Sequence, residues 1–137
     1  MFNKLNKIIE KRRIINNLKV VDPLIKTNTE FLEIYEVCKP FTMTSIERMF
    51  ALYLSIKYVL KSNIQGDFVE CGVWKGGSAM IMALTLQKSG AHKKIYLYDT
   101  FSGMPQPSKE DTLVSNSSVF ALDTWLKKSK ESCSLEL

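Results

Sequence analysis

The feature that most constrains the fold is an apolar stretch that runs into a cluster of glycines in the middle of the chain. Residues 66–78 read GDFVECGVWKGGS. The pattern is typical of a strand covered on both faces, and its apolar members are Phe68, Val69, Cys71 and Val73. Gly76, Gly77 and Ser78 then bring backbone close to the start of a helix. A strand that breaks at glycines and leads into a helix is where α/β proteins hold nucleotide-like ligands.

Apolar periodicity predicts helices before this stretch. They cover about 3–18, 29–37 and 45–61, and the last begins at a capping box of Thr44 and Glu47. The apolar stripe of that long helix consists of Ile46, Met49, Phe50, Tyr53, Leu54 and Leu60. The chain before residue 66 is therefore expected to be helical.

After residue 66 the pattern alternates between strand and helix. It predicts strands over 67–73 and 94–98 joined by a helix over 77–89, then a long loop and a helix near 118–130. Two strands joined by a helix pair in parallel, which indicates an α/β sheet. Because two apolar strands leave edges and side chains exposed, the chain reads as the first half of a larger sheet, truncated after its second strand.

The composition is compatible with a single domain and gives little support for binding to nucleic acid or to a membrane. The chain has 137 residues, 45% of them hydrophobic, and a net charge of +5 that is concentrated in residues 1–13. Isoleucines recur there at helical spacing, so a solvated amphipathic helix is favoured over a surface for nucleic acid or membrane. No apolar run reaches the length of a membrane span and no signal peptide is evident, so we expect a cytoplasmic protein.

The cysteines and the single histidine carry no predicted chemistry. Cys38, Cys71 and Cys133 lack metal-type spacing and are expected to be reduced, with Cys71 inside the buried strand. His92 lies in a polar link between a helix and a strand and is expected to be exposed.

The residues of the glycine cluster separate three classes of ligand. Gly72 and Gly77 have the spacing of a P-loop, but Ser78 stands where the lysine would be. Trp74 stands where a dinucleotide site prefers its second glycine, and its bulk opposes a pyrophosphate. The pattern thus favours S-adenosylmethionine, which has no phosphate, although a dinucleotide or nucleotide protein stays a weaker alternative. Gly76 and Gly77 could also serve helix packing.

Two carboxylates strengthen this interpretation. Glu70 ends the first strand and could accept hydrogen bonds from the amino group of the ligand, while Asp99 follows the second strand and could bind the ribose hydroxyls. The alternatives are an ion pair of Glu70 with Lys75 and a turn cap for Asp99 within 99–103. The candidate cofactor-binding residues are Glu70, Gly72, Trp74, Gly76, Gly77, Ser78, Asp99 and Thr100.

Three segments resemble the TylF/MycF-like macrocin O-methyltransferases, a family of S-adenosylmethionine-dependent sugar methyltransferases. Residues 66–78 are similar to the cofactor motif of the family and residues 95–105, IYLYDTFSGMP, to its second signature. Residues 42–48, TMTSIER, resemble its N-terminal segment. The likeness spans roughly residues 35–125, the N-terminal part of such an enzyme.

The resemblance implies a class I methyltransferase fold, Rossmann-like, with Glu70, Gly72 and Asp99 in contact with the cofactor. In the family a divalent metal, usually Mg²⁺, binds the acceptor hydroxyls through aspartates of the C-terminal half, and no such ligands are expected in this chain. Asp111 and Asp123 are read as capping residues, not metal ligands. We assign no catalytic residue from the sequence.

The expected organisation is a lid-like helical segment over 1–65 followed by the first two βα units of an S-adenosylmethionine-binding domain over 66–137. The expected function is methyl transfer to a hydroxyl of a sugar or natural product, with this chain alone an inactive fragment. The alternative is a non-catalytic nucleoside-binding or oligomerisation module. Expected partners are a small-molecule hydroxyl acceptor and a second copy of the chain, but no nucleic acid and no membrane.

Overall fold

The computed structural model describes residues 22–103, 105–108, 110–113 and 116–128. The chain divides into two compact units, an N-terminal unit up to Tyr98 and a C-terminal unit from Asp99. The N-terminal unit contains α1 (Pro23–Thr27), α2 (Thr29–Cys38), a 3-10 turn (Lys39–Phe41), α3 (Ile46–Lys61), β1 (Phe68–Cys71), α4 (Gly77–Lys88) and β2 (Ile95–Tyr98). The helix predicted over 3–18 lies outside the described residues.

The core of the N-terminal unit lies between α2, α3 and α4. Its centre is Phe31, which has no exposed surface and whose ring centroid lies 4.9 Å from that of Phe50, 5.5 Å from Tyr53 and 5.6 Å from Tyr35. From α4, the side chains of Ile81, Met82 and Leu86 join the same buried cluster. The helices before residue 62 therefore share one core with the helix that follows the glycines.

The boundary between the two compact units falls between Tyr98 and Asp99. The organisation predicted from the sequence, a lid-like segment over 1–65 and a cofactor-binding domain over 66–137, stays a prediction. Among the described residues, no helix is both long and apolar enough to cross a bilayer.

The helices predicted over 29–37, 45–61 and 77–89 are confirmed as α2, α3 and α4, but the start of α3 differs from its prediction. Ser45 is the N-cap, and its Oγ accepts a hydrogen bond of 3.5 Å from the backbone N–H of Arg48. The capping box of Thr44 and Glu47 is therefore wrong by one residue, because Thr44 bonds instead to the hydroxyl of Thr42 at 2.9 Å. Ser45 also bonds the Glu47 carboxylate and lowers its pKa.

The apolar stripe of α3 is confirmed except at one position. Ile46, Met49, Phe50 and Tyr53 are buried, and Leu60 packs against the core. Leu54 is exposed. Leu54 follows Ile46 by eight positions and Met49 by five, so at about 100° per residue it lies roughly 80° and 140° around the helix from them and falls outside the buried stripe.

β1 and β2 form the predicted parallel pair, with α4 as the crossover between them. The register places Phe68 opposite Ile95 and Cys71 opposite Tyr98. Phe68 and Ile95 pack against the core. Val69, on the other face, is 60% exposed, and Cys71 is exposed as well. The predicted cover on both faces is thus wrong for the described chain, because its helices pack against one face of the sheet alone.

The C-terminal unit contains a hairpin that the sequence analysis reads as loop and helix. Strands β3 (Thr112–Leu113) and β4 (Asn116–Phe120) pair antiparallel and lead into α5 (Ala121–Lys128). The predicted helix over 118–130 is therefore wrong at 118–120, where a serine, a β-branched residue and an aromatic residue favour a strand. The positions after 128 lie outside the described residues.

Asp111 holds a turn in the loop before β3 and not the helix start that a capping residue would hold. Its Oδ2 accepts hydrogen bonds from the backbone N–H of Ser108 at 2.7 Å and from the Ser108 hydroxyl at 2.9 Å. These bonds lower the pKa of the Asp111 carboxyl. The side chain of Asp123 lies outside the described residues.

A polar contact at the edge of the aromatic core ties α2 to α3. The Tyr53 hydroxyl donates to Glu30 Oε1 at 2.9 Å, and Lys57 Nζ contacts the same oxygen at 3.2 Å. The hydrogen bond from Tyr53, followed by that from Lys57, lowers the pKa of Glu30 below 4.5. Burial, followed by the bond to Glu30, raises the pKa of Tyr53 to about 12.

Replacing Tyr53 by phenylalanine should remove this contact and blunt the acid sensitivity of folding. Because the folded pKa of Glu30 is depressed, its contribution to stability is present above its unfolded pKa and is lost as pH falls through the folded value. The variant should lose about 1 kcal/mol of unfolding free energy near neutral pH and less in acid. Urea denaturation of wild type and Tyr53→Phe at neutral and acid pH measures this, with the exposed Tyr58→Phe as control. Equal acid sensitivity in both proteins would contradict it.

Candidate cofactor-binding site

The glycine turn, residues 72–78, begins where β1 ends. The backbone N–H of Gly72 donates to the carbonyl of Tyr98 at 2.8 Å, which continues the parallel pairing by one residue. Gly72 and Gly76 have φ angles of +85° and +83°, in the left-handed region that favours glycine. Among the described residues, and apart from each glycine's own chain neighbours, no heavy atom lies within 4 Å of the position that a Cβ would take at either glycine. The turn is therefore bent by its glycines and open on these sides.

α4 begins directly after the second bend. Gly76 is its N-cap, and the backbone N–H of Gly76 donates to the carbonyl of Val73 at 2.9 Å. The first N–H groups of a helix have no partner within the helix and carry its positive end. The turn thus places backbone donors at the carboxyl edge of the sheet, where open α/β sheets bind their ligands.

Gly77 differs from the other two glycines because protein atoms fill the space beside it. A Cβ at Gly77 would lie 2.6 Å from the carbonyl oxygen of Phe41 and 2.6 Å from Cβ of Thr42. Gly77 therefore has the packing role considered for it in the sequence. It packs against the segment before α3. Phe41 and Thr42 are neighbours of the turn that were not predicted, and the available signal was a glycine at the start of α4, which permits a close approach.

Trp74 has an unusual backbone for its size. Its φ is +49°, a left-handed value that is uncommon outside glycine, asparagine and aspartate. The Lys75 ammonium lies 4.9 Å from the centroid of the indole ring, within cation–π range. Trp74 thus has a backbone conformation that a glycine would adopt without strain.

Glu70 lies in β1 on the same face as Phe68 and opposite Leu97 in the register. The residue is half-buried, and its carboxylate oxygen Oε2 is buried. A partly buried carboxylate two residues before the first bend of the turn is a suitable acceptor for a ligand amino group. The backbone of the glycine turn and Glu70 are thus both at the carboxyl end of β1.

Asp99 and Thr100 open the C-terminal unit. Asp99 Oδ1 accepts a hydrogen bond from the backbone N–H of Phe101 at 3.2 Å and one from the Thr100 hydroxyl at 3.4 Å. The Thr100 hydroxyl also lies 3.2 Å from the carbonyl of Gly103. Asp99 therefore caps the turn, which is the alternative role considered for it in the sequence. The contact of Asp99 with a ribose stays a prediction. A carboxylate has several acceptor positions, so the two roles are compatible in principle.

A groove of about 640 Å³ lies at the opposite edge of the N-terminal unit, next to Asp67, Ala91 and Lys94. This edge carries the amino ends of the strands, away from the ligand edge of α/β sheets. Lys93, which also lines the groove, donates to the carbonyls of Ile64 and Gly66 at 2.8 and 2.6 Å. We therefore place the candidate site at the glycine turn and not in this groove.

The residues present do not fit a metal centre. Within the described parts of the chain, no three histidine, cysteine, aspartate or glutamate side chains lie together in a way that could hold a metal ion. No chemical step is therefore assigned to Mg²⁺ here.

Comparison with known proteins identifies the family. A profile of the macrocin-O-methyltransferase (TylF) family matches residues 36–134, more than half of the 137 residues. The chain belongs to this family. The match includes α3, the glycine turn and Asp99, so the resemblance drawn from the three sequence segments is confirmed.

Individual relatives of this TylF-family chain are named as O-methyltransferases. One is the 8-demethyl-8-(2,3-dimethoxy-alpha-L-rhamnosyl)-tetracenomycin-C 4'-O-methyltransferase of Streptomyces olivaceus, 36% identical over 66 residues, which are 47% of this chain and 25% of the relative. Another is the demethyldecarbamoylnovobiocin O-methyltransferase of Streptomyces niveus, 30% identical over 70 residues, or 50% of this chain and 27% of the relative. The matched region spans about a quarter of the length of these relatives.

A solved structure supports the fold of the TylF-family chain. The O-methyltransferase NovP matches with a TM-score of 0.50 and 27% identity over 61% of this chain and 35% of that chain. Together with the parallel pair β1 and β2 and the helices around them, this confirms the predicted α/β class and identifies part of a methyltransferase fold.

Proposed function

We propose that the glycine turn binds S-adenosylmethionine and that the chain is the cofactor-binding part of an O-methyltransferase. The observation that carries the proposal is the open, left-handed turn at Gly72 and Gly76, which lies at the carboxyl end of β1 and at the start of α4. Family membership supports the choice of cofactor, since TylF-family enzymes are named as methyltransferases.

The residues of the turn fit this cofactor. When bound, S-adenosylmethionine supplies a methyl group on a sulfonium, a cationic centre without phosphate. Glu70 would accept hydrogen bonds from the cofactor amino group, and its negative charge suits a cationic ligand. Gly72, Gly76 and Ser78 would offer backbone contacts, and Trp74 would exclude a pyrophosphate by its bulk.

The roles of Asp99 and Thr100 are proposed from the sequence and the family alone. Asp99 directly follows β2 in the chain, and a carboxylate can accept two hydrogen bonds from neighbouring ribose hydroxyls. We propose this contact for Asp99, with the Thr100 hydroxyl holding the carboxylate through the bond already described.

The proposed acceptor is a hydroxyl of a sugar or of a glycosylated natural product. This follows the names of the relatives, one of which is the 4'-O-methyltransferase of a tetracenomycin that carries a rhamnosyl group. Methyl transfer needs the acceptor oxygen to be oriented and deprotonated, and we assign no base for that step. That this chain alone does not turn over substrate stays a prediction.

One observation favours the alternative of an oligomerisation module. The exposed face of the sheet carries Val69, Tyr96 and Tyr98, which are 60%, 43% and 61% exposed. A second copy of the chain could cover such an apolar face. Sedimentation of the purified protein tests this: a discrete dimer supports the module, and a monomer contradicts it.

Calorimetric titration with S-adenosylhomocysteine, the product form of the cofactor, tests the proposed function. We expect binding to wild type and at least a tenfold loss in Glu70→Gln, since a hydrogen bond to a charged group contributes about 1.5–3 kcal/mol. Glu36→Gln, on α2, is the matched control and should bind like wild type. A parallel titration uses NAD as the alternative ligand. A protein that binds NAD but does not bind S-adenosylhomocysteine would overturn the proposal.

A further inference from the structure

The segment Phe41–Thr44 lies directly against the glycine turn. The carbonyl of Phe41 and Cβ of Thr42 occupy the space where a side chain at Gly77 would be. At Gly72 and Gly76 no described residue other than the chain neighbours places a heavy atom within 4 Å of the corresponding position. The turn is thus open at its two bends and in tight contact at the first residue of α4.

The hydroxyl of Thr42 fixes the conformation of this segment. Thr42 Oγ1 accepts a hydrogen bond from the backbone N–H of Thr44 at 3.1 Å and lies 2.9 Å from the Thr44 hydroxyl. It also lies 3.7 Å from Sδ of Met49, which is 1% exposed in the core. One side chain therefore joins the segment to α3 and closes it into a hydroxyl-capped turn.

These contacts form a continuous path from the helical core to the proposed cofactor site. Met49 contacts the hydroxyl of Thr42, the backbone of Thr42 follows that of Phe41, and both residues abut Gly77. The first turn of α4 begins at Gly77 and carries the backbone donors of the site. The position of these donors relative to the core therefore depends on the Phe41–Thr44 segment.

We infer that Thr42 is a positioning residue for the cofactor, an inference that rests on the proposed function. Its hydroxyl holds the Phe41–Thr44 segment against Gly77, and the segment sets the first turn of α4 in the arrangement that accepts the ligand. Linkage is reciprocal, so a ligand that binds this arrangement also stabilises the segment. Thr42 acts through Gly77 and need not touch the cofactor.

The test compares Thr42→Val, which keeps the branched shape and removes the hydroxyl, with Thr42→Ser, which keeps the hydroxyl. Thr27→Val is the matched control, because the Thr27 hydroxyl also makes local hydrogen bonds, in its case to the carbonyls of Pro23 and Leu24, but lies at the end of α1. We expect Thr42→Val to bind S-adenosylhomocysteine about tenfold more weakly by calorimetry, whereas Thr42→Ser and Thr27→Val bind like wild type.

Hydrogen exchange of the Thr44 amide provides a second readout, since its N–H donates to Thr42. Added S-adenosylhomocysteine should slow this exchange in wild type and in Thr42→Ser, and should have little effect in Thr42→Val. If Thr42→Val does not fold, the ligand response of the Thr44 amide in wild type and Thr42→Ser decides the matter.

The outcomes separate the two proposals. If wild type and Thr42→Val bind S-adenosylhomocysteine with equal affinity, the positioning role is overturned and the cofactor site stands. The same holds if the hydrogen exchange rate of the Thr44 amide in wild type does not change when the ligand is added. Equal losses in Thr42→Val and Thr42→Ser overturn it as well, because the hydroxyl would then not matter. Absence of S-adenosylhomocysteine binding in every protein overturns both.

Discussion

Replacing Phe31 by alanine should lower the unfolding free energy by about 4 kcal/mol, because truncating a fully buried phenylalanine typically costs 3–5 kcal/mol. Phe31 has no exposed surface and contacts three other aromatic rings. Domains of ordinary stability unfold with 5–15 kcal/mol, so this loss should leave the N-terminal unit barely folded. Chemical denaturation followed by circular dichroism measures it.

The control for this substitution is Val37→Ala on the same helix. Val37 is exposed, so its truncation should change the unfolding free energy by less than about 0.5 kcal/mol. Since α2, α3 and α4 share one core, the Phe31 variant should also lose binding of S-adenosylhomocysteine at the distant glycine turn. A Phe31→Ala protein that denatures at the wild-type urea concentration would contradict the shared core.

Replacing Gly77 by alanine should destabilise the protein by about 2–3 kcal/mol, the upper part of the range for overpacked sites. The new Cβ would lie 2.6 Å from the backbone oxygen of Phe41, a contact that no side-chain rotation can relieve. The 3-10 turn or the start of α4 must then move. Thermal and chemical denaturation of the variant would show the loss.

Ser78→Ala is the matched control for Gly77→Ala, because it also places alanine in the first turn of α4. Alanine is the residue best suited to a helix, so this change should cost little stability. If Gly77→Ala matches Ser78→Ala in stability, the close approach of Phe41 to α4 is wrong. That result would also remove the contact on which the positioning role of Thr42 depends.

The sequence predicts most of the elements that surround the site. The long helix α3 follows from its apolar stripe, and the parallel pair follows from two apolar strands with a helix between them. The bends at Gly72 and Gly76 follow from the glycines themselves, since a left-handed backbone favours that residue. Local patterns of this kind require no knowledge of distant contacts.

Features that depend on distant contacts could not be predicted. Cys71 and Val69 look buried in the sequence because they are apolar, yet their exposure depends on what packs against that face of the sheet. The contact of Phe41 with Gly77 joins residues 36 positions apart, and nothing local indicates it. The hairpin before α5 was missed because its pairing is defined by register and not by composition.

The backbone of Trp74 has a consequence for how such a site could change its ligand. Trp74 stands two residues after Gly72, where dinucleotide-binding turns carry their second glycine, and its φ of +49° is one that glycine adopts without strain. A left-handed conformation costs other residues roughly 1–2 kcal/mol. The main chain of the turn is thus already shaped for a glycine at this position. If the turn binds S-adenosylmethionine as proposed, the indole ring of Trp74 would oppose a pyrophosphate at a position where the main chain needs no rearrangement to accept glycine.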